Sequence, residues 1–265
     1  MKSTIFAAFA LIANILYILW VLEMPFAVYA VGLVISGYFS LAGYFRAYRY
    51  VLNTSELLTD SCSDRTFELR VSETGRTCGI PGIWGRSDLI MINRLTLETF
   101  PSLVDSLVDH ELGHIRLRHV WVFNLVRCIS LSILLEVLTW NVIFPVIDRG
   151  KRLPSKTKAF AFLIFCVLVS IVSFSFGAKE LGFYAAWFVL LKYFDAGIRY
   201  LQECDADDYC ASKSEENLKN LRSYLTIQNF FASPYTFLGI PLRFPVTSHP
   251  SYEKRISRLT KGLRS

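Results

Sequence analysis

The chain has 265 residues, 53% of them hydrophobic and only 19% charged, with 21 Phe and a formal net charge of +6. Mean hydropathy is +0.38. A soluble domain averages about 25% charged residues, so this composition excludes a disordered chain and argues against an ordinary cytosolic enzyme. A basic excess suits either nucleic acid or an anionic membrane surface, and its position along the chain decides between them.

The apolar residues come in blocks. Residues 4–22 and 26–45 carry no charge, and each run is close to the roughly 20 residues that cross a bilayer as a helix. No small-residue cleavage site follows the first run and the second begins almost at once. A transmembrane hairpin over 1–45 therefore reads better than a signal peptide. A third block, 120–147, is interrupted by Arg127 and Glu136; a fourth covers 159–178, and a short run follows at 183–191. Charges at such positions face a protein interior or a watery cavity, or they snorkel from helix ends.

Two polar regions lie between and after these blocks. Residues 46–119 hold nine Lys/Arg against ten Asp/Glu, and 199–265 hold ten against seven. The connector 148–158 holds five (Arg149, Lys151, Arg152, Lys156, Lys158) against Asp148. Much of the excess charge thus sits in one short loop between apolar runs, which fits a lipid headgroup layer. No zinc-finger spacing or aromatic-interleaved basic sheet supports nucleic-acid binding.

The first polar region ends in His110-Glu111-Leu112-Gly113-His114, an HExxH pattern. Phe100, Leu103, Val104, Leu107 and Val108 lead into it at helical spacing. Residues four apart share a helix face, so His110 and His114 can offer two imidazole nitrogens to one zinc ion. Glu111 can reach a water at that metal and take its proton. His119, five residues past His114, is expected on another side of the helix, behind the site or at the surface.

A hydrolytic zinc needs a third protein ligand. The segment 199–211 offers Glu203, Asp205, Asp207 and Asp208, with Cys204 and Cys210 as soft alternatives. The residue types alone do not choose among them.

Taken together, HELGH, then Glu203-x-x-Ala206-Asp207-x-x-x-Ala211, then Ser248-His249-Pro250 with Arg255-Ile256 and Leu259, resemble the HtpX and CAAX-prenyl-protease family of membrane zinc metallopeptidases. The resemblance covers most of the chain and the motifs occur in the family's order. It implies one Zn2+ per chain held by His110, His114 and Glu203, with Glu111 as general base. It further implies Asp207 as an acceptor orienting a ligand histidine. His249 would stabilise the oxyanion, and Arg255 would pair with a nearby carboxylate. The implied activity is endopeptidase cleavage of membrane or misfolded proteins.

The expected fold is a mostly α integral membrane protein. About four transmembrane helices would carry a zincin-like α+β catalytic domain, with a small sheet and the HExxH helix. The expected domains are a hairpin at 1–45, a first catalytic part at 46–119, transmembrane helices with the connector at 120–198, and a second catalytic part at 199–265. His114 and Glu203 must lie on one side of the membrane, so an even number of spans separates them. Spans at 120–147 and 159–178 meet this, with the catalytic part cytoplasmic and 148–158 outside, against the positive-inside tendency. The rival places 159–178 and 183–198 as the hairpin. Expected partners are a protein or peptide substrate and the lipid bilayer; no residue pattern speaks to oligomeric state.

Where the family usually carries an Asn-Ala-Phe-like segment, this chain reads 75–82 as GRTCGIPG, so substrate preference does not transfer. The run 88–97 reads as a strand able to bind an extended peptide by edge pairing. Cys62 and Cys78 would pair only in an oxidising compartment. The competing functions are a catalytically silent zinc-binding scaffold and an antirepressor-type signalling protease. A site-2-type intramembrane protease fits less well, because Arg116 and Arg118 directly follow the motif.

Overall fold

The computed structural model describes residues 2–23, 25–58, 67–73, 77–131, 183, 186–187, 190–191, 193–231, 236–237, 240–241 and 251–262. The apolar blocks beyond residue 131 up to 180, the connector 148–158, Cys62 and His249 lie outside the described residues. The chain divides into two compact units: 1–8, 42–124 and 193–265 form one, and 9–41 and 125–192 form the other.

Helix α1 (Lys2–Leu16) continues as a π-helical turn, Tyr17–Val21. Helix α2 (Phe26–Thr54) is 29 residues long. The helical stretches Lys2–Trp20 and Phe26–Thr54 are long and apolar enough to cross a membrane. Their large side chains face outward: Ile5, Phe9 and Ile12 on α1 and Val31, Val34 and Tyr38 on α2 are all exposed. In the second unit Ile18, Tyr29, Leu131, Trp187 and Leu191 form a buried cluster.

The first unit is built on a four-stranded sheet of β1 (Glu56–Leu57), β2 (Phe67–Ser72), β3 (Cys78–Ile80) and β4 (Asp88–Asn93), ordered β1-β2-β4-β3. β2 and β4 run parallel, with Leu69 opposite Ile90; β1 and β3 are antiparallel to their neighbours. The run Leu89-Ile90-Met91-Ile92 has no polar residue, as a strand buried on both faces requires. Ile90 and Ile92 pack with Leu69, Val104, Val108 and Ile115. Leu89 and Met91, one pleat on, pack with Tyr44, Tyr48 and Val51 of α2. The sheet is thus a layer between α2 and the helix that carries HExxH.

This corrects the reading of 88–97. β4 is central, so both its edges are already paired, and the strand stops at Asn93. The Asn93 side chain accepts a hydrogen bond from the Leu95 N–H (2.9 Å) and starts helix α3 (Arg94–Thr99). The edges of this sheet are β1 and β3, each paired on one side only, and β3 is the edge that lies beside the HExxH helix.

A 3-10 turn at Pro101–Leu103 leads into α4 (Val104–Arg116), the HExxH helix. α5 (His119–Ile129) follows, then α6 (193–211), α7 (Glu215–Phe231) and α8 (Tyr252–Gly262). Cys210, Leu221, Leu225 and Leu259 lock the last three together. A two-stranded pair joins Thr236–Phe237 to Ile240–Pro241.

Candidate metal centre

α4 presents His110 and His114 one turn apart, and α6 brings Glu203 to them. The two Nε2 atoms are 3.3 Å apart. Glu203 Oε2 lies 3.6 Å from His110 Nε2, and Oε1 lies 3.8 Å from His114 Nε2. Two donors about 2.05 Å from a zinc ion at the tetrahedral angle are themselves about 3.3 Å apart. Two imidazoles and a carboxylate at this spacing fit zinc, and they form the sole such cluster among the described residues.

Each of these three side chains has a partner behind it. His110 Nδ1 lies 3.0 Å from Asp207 Oδ1, and Asp207 is fully buried. Glu203 Oε2 lies 3.0 Å from Arg255 Nη1. The same guanidinium donates from Nε (2.8 Å) and Nη2 (2.5 Å) to the two Asp207 oxygens. His114 Nδ1 lies 2.9 Å from His119 Nδ1.

His119 takes the first of its two expected places, behind the site, and reaches it through a break in the helix. α4 ends at Arg116, and Arg118 takes a left-handed conformation (φ +57°). The chain therefore turns back, and His119 opens α5 against the site, only 2% exposed. Gln202 donates to the His119 carbonyl (2.8 Å). With His114 Nε2 free for a metal, its Nδ1–H donates to His119, whose own proton is then assigned to the buried Nε2.

The remaining acidic candidates are sorted by one turn of α6. Asp205 accepts from the Ser3 hydroxyl (2.6 Å) and backbone N–H (3.1 Å), capping α1. Asp208 pairs with Arg258. Cys210 Sγ donates to the Ser106 carbonyl and Cys204 is buried, so neither cysteine reaches the cluster.

Two glycines permit the approach. A Cβ on Gly113 would lie 3.2 Å from the Ala206 Cα and from Tyr209, so the bare backbone lets α6 sit against α4. A Cβ on Gly79 would lie 2.8 Å from the Glu111 carbonyl oxygen. β3 therefore runs directly beside the HExxH helix, and the Gly79 N–H hydrogen-bonds to Glu111. Glycine inside a strand marks such close approaches, and that signal was present at Gly79.

Electrostatics divide the ionisable groups. Burial pushes the Glu111 carboxyl up, reinforced by Glu203 and opposed by His110 and the Gly79 N–H. Burial alone would push His110 down, but the Asp207 and Glu203 carboxylates push it up to about 10. His114 is pushed down to about 3 by burial and by His110. Tyr224, which the sequence reading passed over, is pushed up to about 12 by burial and by Tyr252, Glu111 and Glu203, so its hydroxyl stays a donor at neutral pH. Burial and Glu111 likewise push Cys78 up to about 12; it is a free thiol.

A small sheet flanked by an HExxH helix, with a carboxylate supplied from a distant helix, defines a metallopeptidase-type site. A family model described as peptidase family M48 matches residues 81–262, and the chain belongs to that family. M48 peptidases are zinc-dependent and act on proteins. No curated protein matches the chain in a sequence comparison.

Proposed function

We propose that the chain is a membrane-embedded zinc endopeptidase acting on membrane or misfolded proteins. The observation that carries this is the His110, His114 and Glu203 triangle with Glu111 on the adjoining helical position. When bound there, zinc supplies Lewis-acid polarisation of the scissile carbonyl and acidifies water. Glu111 takes the proton from the attacking water and returns it to the leaving amine. Its raised carboxyl pKa brings it closer to working pH, which favours both transfers. The Gly79 N–H holds the Glu111 carboxylate in place, and the one-sided edge of β3 beside it suits an extended peptide. Asp207, His119 and Arg255 hold the three ligands in register. His249 is retained as the oxyanion donor suggested by the resemblance. The hairpin of α1 and α2, with spans at 120–147 and 159–178, anchors the enzyme and leaves the catalytic part in the cytoplasm.

The test is purified wild type beside Glu111→Gln. The variant keeps stoichiometric zinc and loses cleavage of casein or a membrane protein by about 100-fold or more. Full activity in Glu111→Gln overturns the assignment. Stoichiometric zinc with no chelator-sensitive cleavage in the wild type would favour a silent scaffold.

A further inference from the structure

The β3–β4 hairpin ends in a turn of unusual composition. Trp84 and Gly85 both have positive φ (+52° and +77°), and the Arg86 N–H bonds back to the Ile83 carbonyl (3.1 Å). Glycine or asparagine ordinarily fills the first of these positions. Here it is a tryptophan, 78% exposed, in a conformation that bulky side chains avoid. Backbone strain of this kind concentrates where it serves a function.

The surroundings indicate what that function is. The Trp84 ring lies 5.4 Å from that of Phe45, the last residue of the uncharged run of α2. The run 26–45 is about the length that fills a bilayer core, which places Phe45 and Trp84 at its edge. The next turns of α2 carry Arg46, Arg49, Tyr50 and Asn53, which with Ala42 and Phe45 line an open groove of about 440 Å³. Arg46 and Arg49 are exposed, and neither has an ion-pair partner among the described residues. Arg86 lies over the Phe45 and Tyr48 rings at 5.6 and 5.4 Å. The exposed positions Val31, Ile35 and Tyr38 lead at helical spacing into Ala42, Phe45 and Arg49 along one face of α2.

We infer that the hairpin tip and this stretch of α2 form a membrane-docking surface: Trp84 enters the interfacial layer while Arg46, Arg49 and Arg86 engage the phosphates of anionic phospholipids. An exposed tryptophan beside exposed arginines suits that layer, where an amphipathic ring and guanidinium groups both find partners. The inference rests on the reading of α2 as a membrane span. It bears on substrate class as well. Five residues separate Gly79 from Trp84, at most about 17 Å of chain, so β3 and Glu111 are held near the bilayer surface. Juxtamembrane peptide bonds are then the ones within reach.

The test uses the full chain in vesicles of phosphatidylcholine alone, or of equal parts phosphatidylcholine and phosphatidylglycerol, brominated near the headgroup end of the acyl chain. Comparison of wild type with Trp84→Phe isolates the Trp84 emission. That emission is expected to be quenched, more strongly in the anionic vesicles, and Arg46→Gln with Arg49→Gln removes the anionic increment. Trp84→Phe retains wild-type cleavage of a soluble peptide, which verifies its fold. Unquenched Trp84 emission in protein that resists alkaline carbonate extraction overturns the docking surface and leaves the span standing. Protein that washes off the vesicles overturns the span, and the docking surface with it.

Discussion

Arg255 is the residue on which most of the site's charge converges. It lies between Asp207 and Glu203 and is 8% exposed. Removing it takes the guanidinium from the buried Asp207 and the half-buried Glu203, and breaking a buried pair of this kind costs about 3–5 kcal/mol. Arg255→Ala is expected to lower the thermal midpoint strongly. Arg255→Lys keeps the charge but loses the planar fork, and is expected to weaken zinc binding by about 10–100-fold. Unfolding scans and chelator competition check both; an Arg255→Ala protein with wild-type midpoint and zinc affinity would show that the fork holds nothing. His110 makes the pH prediction. Its folded pKa, about 10, is raised above its ordinary value, so its contribution to the metal-free fold is complete below about pH 6.5 and is lost as pH rises through 10. Zinc must displace that proton, so apparent affinity rises about tenfold per unit between pH 7 and 9 with one proton released per ion. Calorimetry in buffers of different ionisation enthalpy reads the proton directly, and a pH-independent affinity contradicts the assignment.

At the scale of elements, the decisive contact is α4 against α6. Gly113→Ala gains helix propensity of about 1 kcal/mol yet must push on the Ala206 backbone, where overpacking costs about 1–3 kcal/mol. Stability is therefore expected to change little or fall modestly, while zinc affinity falls because Glu203 moves with α6. A Gly113→Ala variant that binds zinc like wild type would show that α6 yields without moving its ligand. How far these elements could be read beforehand follows from the same physics. HExxH was legible because a helix places i and i+4 on one face. Glu203 was separable from Asp205, Asp207 and Asp208 only through the family resemblance, since all four sit within two turns and the contacts that sort them come from Ser3, His110 and residues 255 and 258. Of the two places expected for His119, behind the site or at the surface, the structure takes the first; the turn that brings it there was not legible, because Arg118 carries none of the Gly or Asn signals of a left-handed residue. The place of β4 at the sheet centre was hidden because local pattern does not state which strands pair. Its unbroken apolar run, Leu89-Ile90-Met91-Ile92, was the clue to burial on both faces.

At the scale of the molecule, the net positive charge lies largely in 148–158, between two apolar blocks. The preferred topology puts that connector on the far side of the membrane from the catalytic residues. A Ser155→Cys substitution is therefore expected to react with a membrane-impermeant thiol reagent in intact cells. Protection of that position until the cells are opened would favour the rival arrangement.

The site is also a matter of timing. Ser3 meets Asp205 across 202 residues of chain, and His110 and His114 meet Glu203, Asp207 and the Arg255 that braces them only when α6 and α8 exist. At ribosomal speeds the HExxH helix is made on the order of ten seconds before Arg255. Throughout that interval the growing chain carries the base and two imidazoles but neither the third ligand's clamp nor the helix cap at Ser3. The candidate metal cluster is therefore complete only after Glu203 has been made and α6 has packed on α4.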